Sequence, residues 1–139
     1  MPEKILSAMG TVFECEEKEM DAVTAVSGSG PAYCFYLAEA MTAAAHELGF
    51  SDEDASAMTT ATLKGAVALM ESQPETAADL RKRVTSPGGT TEAAIRVLDD
   101  HRVKQAIIAA VTAAARRSRN SAPDIFSWFY LIYSPKPLY

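Results

Sequence analysis

The chain has 139 residues, of which 48% are hydrophobic and 22% charged, the balance of one globular domain with a modest core; disorder is not the default for such a composition. Its formal charge of -5 is unevenly spread, with eleven acids and two bases over residues 1–54 and seven acids and eleven bases over residues 55–139. The bases are scattered over helical segments, neither stacked in one run nor interleaved with exposed aromatics, which argues against nucleic acid as a partner. No uninterrupted apolar run approaches the ~20 residues of a membrane-spanning helix. Two cysteines, Cys15 and Cys34, follow a start with no secretory signal and read as free thiols in a reducing compartment. The expectation is a soluble, cytoplasmic protein with no membrane partner.

Residues 1–20 pair a short apolar stretch ending near Gly10 with "TVFEC", whose alternating β-formers suggest a brief extended segment; together they read as a lead-in. From Ser29 or Gly30 the spacing predicts a helix, with Pro31 in the first turn, where its missing N–H costs nothing, and Gly49 as the stop. Between Pro31 and Ala45 the only charged residue is Glu39, so this helix is apolar nearly all round and requires burial on every side. One small domain can hardly supply that alone. Glu39 itself then reads as a buried, hydrogen-bonded group at a subunit contact.

A second helix is expected from Ser51 as N-cap to about Glu71, with Asp52, Glu53 and Asp54 at the positive end of its dipole. A third, shorter one follows Pro74 and carries Arg81, Lys82 and Arg83 in its last turn. After a loop, "TEAAIRVLDD" and "RVKQAIIAAVTAAARRSR" show apolar spacing of three and four and predict two more helices. No set of strands and no internal repeat is present. The fold class expected is all-α, a helical bundle. The tail, residues 120–139, holds six of the eleven aromatic residues and reads as a packing arm or an atypical extension, too short in its apolar part to cross a bilayer.

The loop "SPGGTT" has the chemistry of a small-anion cradle. Gly88 and Gly89 permit a positive φ and close approach of a ligand, and the N–H groups of Thr90 and Thr91 open the next helix, where its dipole favours negative charge. The hydroxyls of Ser86, Thr90 and Thr91 can donate and accept. On residue types alone, a tight turn with a threonine N-cap explains the loop at least as well. "SGSGP", residues 27–31, reads as a helix start, since a preceding strand and G-x-G-x-x-G spacing are both lacking. His46 and His101 stand far apart, with no ligand at metal spacing, and read as surface or cap residues; no metal is expected.

"DAVTAVSGSGPAY" (Asp21 to Tyr33), "TLKGA" (Thr62 to Ala66) and "TSPGGTT" (Thr85 to Thr91), in that order and spacing, closely resemble the C-terminal helical domain of pyrroline-5-carboxylate reductase over roughly residues 5–119. The resemblance implies the last step of proline biosynthesis, hydride transfer from NADPH or NADH to the C=N carbon of 1-pyrroline-5-carboxylate, giving L-proline. It implies a helical domain that interlocks with a second copy as a homodimer, in many members assembled further into rings of dimers. It also assigns a small cyclic imino acid to the loop: Ser86, Gly88, Gly89, Thr90 and Thr91 bind the substrate, backbone groups of Gly89, Thr90 and Thr91 take its carboxylate, and the hydroxyl of Thr91, the one catalytic candidate, bonds the ring nitrogen. The family's N-terminal Rossmann domain is not seen in this sequence. The expected division is therefore 1–20 as lead-in from a missing cofactor domain, 21–119 as the dimerisation and substrate-binding domain, and 120–139 as an aromatic tail. No cofactor is expected to bind this chain alone, and it is expected to be inactive by itself. The rival expectation is a non-catalytic helical oligomerisation module from a truncated gene.

Overall fold

A computed structural model describes residues 12–120. The apolar stretch expected near Gly10 and the aromatic tail from residue 121 onward lie outside the described residues. Within them every regular element is helical and no strand occurs, in agreement with the all-α expectation. Residues 12–15, all but the first residue of the expected extended segment, belong to neither helix nor strand. The described residues divide into two compact units, 12–32 with 107–120, and 33–106.

The first unit opens with a 3-10 turn, Glu17–Glu19, whose ends are tied reciprocally by Glu16 and Glu19. It continues as helix α1, Met20–Val23, and then widens into a π turn over Thr24–Gly28, where the Ser29 N–H reaches back five residues to the Thr24 carbonyl at 2.8 Å. Helicity thus begins well before the glycine-serine stretch, while the long helix itself starts at Gly30, where the sequence places it. The physical reason is the wide turn: it lets the chain pass from one helical segment to the next through Gly28, Ser29 and Gly30, and the next helix places Pro31 in its first turn, where no N–H is needed. Helix α2 spans Gly30–Glu47 and helix α6 spans Val103–Arg119; both contribute residues to the two units. In the first unit Ala25 is buried, and on α6 Val111, Ala114, Ala115 and Ser118, three and four apart, are half-buried. An ion pair of 3.6 Å joins Asp21 to Arg119.

In the second unit α2 ends as the sequence predicts. Gly49 adopts φ +98° and the Phe50 N–H reaches the Ala45 carbonyl at 3.2 Å, satisfying an otherwise orphaned acceptor. Helix α3, Asp52–Ser72, starts on Ser51, whose hydroxyl oxygen accepts from the Asp54 N–H at 3.1 Å. Helix α4, Ala77–Arg83, follows Pro74 as expected and starts on Thr76, whose hydroxyl oxygen accepts from the Asp79 N–H at 3.2 Å. Helix α5 covers Thr90–Asp100, and α6 follows after a corner at His101 and Arg102, where Arg102 takes φ +54°.

The core formed by the described residues of a single chain is small. Among the described residues only Ala25, Ala55, Leu80 and Thr59 are buried. Helix α2 has no buried residue, and Phe35, Tyr36 and Leu37 stand 65%, 76% and 51% exposed. Glu39 is likewise exposed in the single chain rather than buried; it lines a groove with Phe35, Thr42 and His46 of α2 and Ser56 and Thr60 of α3. The described residues of a single chain therefore leave uncovered the helix whose composition demands cover.

Candidate functional site

The loop between α4 and α5 begins where α4 is closed off. The Thr85 hydroxyl donates to the Arg81 carbonyl at 2.7 Å, and the Thr85 N–H to the Lys82 carbonyl at 3.1 Å, adding donors for acceptors that the α-helical pattern leaves over at the helix end. Of the three bases there, Arg83 is paired with Glu75 and Lys82 lies 3.8 Å from Asp79, so part of this charge is already compensated locally.

Residues Ser86 to Gly89 then form a tight turn. The Gly89 N–H donates to the Ser86 carbonyl at 3.0 Å, and Gly88 takes φ +72°. Proline second and a positive φ third is the pattern of a type II turn, which glycine alone enters without strain. Gly89 has an ordinary φ of -83° but a different constraint: a Cβ there would sit 2.6 Å from Ser86 Oγ and 3.1 Å from the Ser86 carbonyl oxygen. Each glycine is thus required for its own reason, backbone conformation at 88 and space at 89.

Gly89 is also the N-cap of α5, with no side-chain cap. The threonine N-cap considered from sequence does not form, because the turn delivers an extended glycine to that position and both threonines already lie in the helix. Thr90 is exposed and Thr91 half-buried, and their N–H groups belong to the first turn, which has no intrahelical acceptors for them. The structure brings all five sequence-predicted residues, Ser86, Gly88, Gly89, Thr90 and Thr91, into one turn and helix start.

One participant was missed. Glu92, third in α5 after the cap, accepts from the Gly88 N–H at 2.9 Å, with Arg96 at 4.0 Å from the same carboxylate oxygen. Acid at the third position is the sequence signal that could have found it. Here the cap's own N–H is spent closing the turn, so the carboxylate takes the preceding one. Away from the loop, His46 Nε2 lies 3.2 Å from Asp52 at the surface, and the His101 N–H caps the end of α5, the surface and cap roles read from the sequence. Among the described residues no cluster of His, Cys, Asp and Glu could hold a metal, and no helix is long and apolar enough to cross a membrane. Cys15 and Cys34 are free and exposed.

A family model described as pyrroline-5-carboxylate reductase dimerisation matches residues 17–121. The chain belongs to this family. A pyrroline-5-carboxylate reductase from Pseudomonas aeruginosa is 46% identical over 123 residues, covering 88% of this chain and 45% of that protein. Pyrroline-5-carboxylate reductase 2 from Bacillus subtilis is 43% identical over 114 residues, covering 82% of this chain and 41% of that protein. Among solved structures, the Plasmodium falciparum pyrroline carboxylate reductase with NADP bound aligns with a TM-score of 0.82 at 31% identity, over 86% of this chain and 47% of that one. A Coxiella burnetii pyrroline-5-carboxylate reductase aligns with a TM-score of 0.75 at 39% identity, over 78% of this chain and 40% of that one. The chain thus spans less than half the length of these reductases, and its match to the dimerisation family takes in the π turn, the uncovered α2 and the Ser86–Thr91 loop.

Proposed function

We propose that this chain is the dimerisation and substrate-binding part of a pyrroline-5-carboxylate reductase, with residues 21–119 as that domain, 1–20 as its lead-in and 120–139 as an appended tail. The observation that carries the reading is the Ser86–Thr91 loop, a glycine turn feeding unpaired N–H groups at the head of α5, inside a chain of this family. The backbone of Gly89, Thr90 and Thr91 receives the carboxylate of the cyclic imine 1-pyrroline-5-carboxylate, where N–H donors and the helix dipole both favour an anion. Ser86 and Gly88 shape the turn beneath it.

Thr91 is the catalytic residue in this proposal. Its hydroxyl can accept from a protonated ring nitrogen or donate to a neutral one, so it stays bonded to that atom as reduction raises the nitrogen's basicity. Orientation is its main contribution, because a hydroxyl is too weak an acid to drive protonation by itself. In the complete enzyme NADPH or NADH supplies hydride to the C=N carbon. The described residues do not fit that group, having no strand and hence no strand, glycine turn and helix unit to cradle a pyrophosphate, and no cofactor step is assigned to them.

The partner is a second copy, as a homodimer, and rings of dimers extend the same arrangement; the uncovered apolar surface of α2 supports this. That surface also favours a second reading, an oligomerisation module whose loop binds nothing. Titrating L-proline into the 15N-labelled chain separates the two. The substrate reading expects the Thr90 and Thr91 amide signals to move first and saturate within the millimolar range, with saturation moved at least about tenfold higher in Thr91→Ala. Shifts scattered over α2 and α3, or none, favour the module.

A further inference from the structure

We infer that Glu92 is a positioning residue that fixes the turn beneath the ligand by holding the Pro87–Gly88 peptide in one orientation. The inference rests on the reading that this loop receives a carboxylate. In a turn of this kind the central peptide can rotate by about half a revolution, converting type II to type I with little change at either end. The central peptide here is Pro87–Gly88, and its N–H is the group bonded to Glu92 Oε2 at 2.9 Å. In a trans peptide the carbonyl points opposite to the N–H. The Pro87 carbonyl is therefore turned away from Glu92 and from the first turn of α5.

Were the peptide to rotate, that carbonyl would swing toward the helix head and present a partial negative charge where the ligand carboxylate must arrive. Glu92 opposes this by accepting the one N–H that rotation would remove, and the acceptor is ionised, which strengthens such a bond. Its charge is itself unfavourable to an incoming anion. Arg96, one turn further on and 4.0 Å from the same oxygen, offsets it and leaves the Thr90 and Thr91 donors for the ligand.

An acid in the first turn of a helix also has an ordinary explanation, favourable interaction with the dipole. The two roles separate on substitution: Glu92→Gln removes the charge but keeps an oxygen able to accept from Gly88, whereas Glu92→Ala removes both. The experiment uses the full chain, 15N-labelled, as wild type and both variants, with helix content checked by circular dichroism. It reads the hydrogen-exchange rate of the Gly88 amide and the dissociation constant for L-proline. The expected result is Gly88 exchange and L-proline dissociation constant each raised about fivefold in Glu92→Ala, the loss of one net hydrogen bond, and both near wild type in Glu92→Gln. Unchanged Gly88 exchange in the alanine variant overturns the inference. So does a glutamine variant that behaves like alanine, or faster exchange with no change in L-proline binding. A wild-type chain that binds no L-proline, with Gly88 exchange as expected, upholds Glu92's hold on the peptide and sinks the carboxylate reading on its own.

Discussion

Gly88 and Gly89 are adjacent and chemically identical, yet substitution should affect them differently. At Gly88, with φ +72° and open space around an added Cβ, alanine meets only a backbone cost of ~1–2 kcal/mol. At Gly89 alanine meets Ser86, and while Oγ can rotate aside, the carbonyl oxygen at 3.1 Å cannot move without opening the turn. Urea denaturation at fixed protein concentration should therefore show Gly89→Ala only partly relieved by adding Ser86→Ala, and Gly88→Ala indifferent to it. Equal relief at both positions would mean that the turn differs from the one described. The glycines and hydroxyls were recognisable from residue type, but the division of labour between 88 and 89 was not. It depends on where Ser86 folds back, and no spacing rule encodes that contact.

Helix ends were readable where one side chain decides them. Ser51 and Gly49 act locally, through a hydroxyl acceptor and a positive φ, and both stand where the sequence places them. The π turn over Thr24–Gly28 was not readable, since valine, threonine, serine and glycine lower helix propensity and conceal a helical segment that the surrounding structure holds. The positive φ at Arg102 escaped for the opposite reason, since arginine favours helix and carries no signal of a left-handed corner. For α2 the reading from composition was direct: nearly all apolar, hence in need of cover. Among the described residues of one chain that cover is missing, with Phe35 65% exposed. Light scattering should give the mass of two 14.9 kDa chains, or an even multiple of one chain where dimers assemble into rings, for the wild type. Phe35→Glu, which places a charge on that surface near Glu39, should shift it toward one chain with helix content retained. A wild-type mass of one chain would contradict the dimer.

For the molecule as a whole, the proposed function implies a division of work in which association supplies the core, since few of the described residues are buried in a single chain, and the loop supplies the ligand site. Only the second of these makes the chain part of a reductase rather than an adhesive. Calorimetry with L-proline and cyclopentanecarboxylate, which shares the ring and carboxylate but lacks the nitrogen, tests it most directly on wild type and Thr91→Ala. The account predicts that wild type binds L-proline at least about tenfold more tightly than the carbocycle, the worth of one hydrogen bond to a charged group, and that Thr91→Ala erases this preference while binding the carbocycle unchanged. Equal affinity of the wild type for the two ligands, or no binding of either at millimolar concentration, would contradict it.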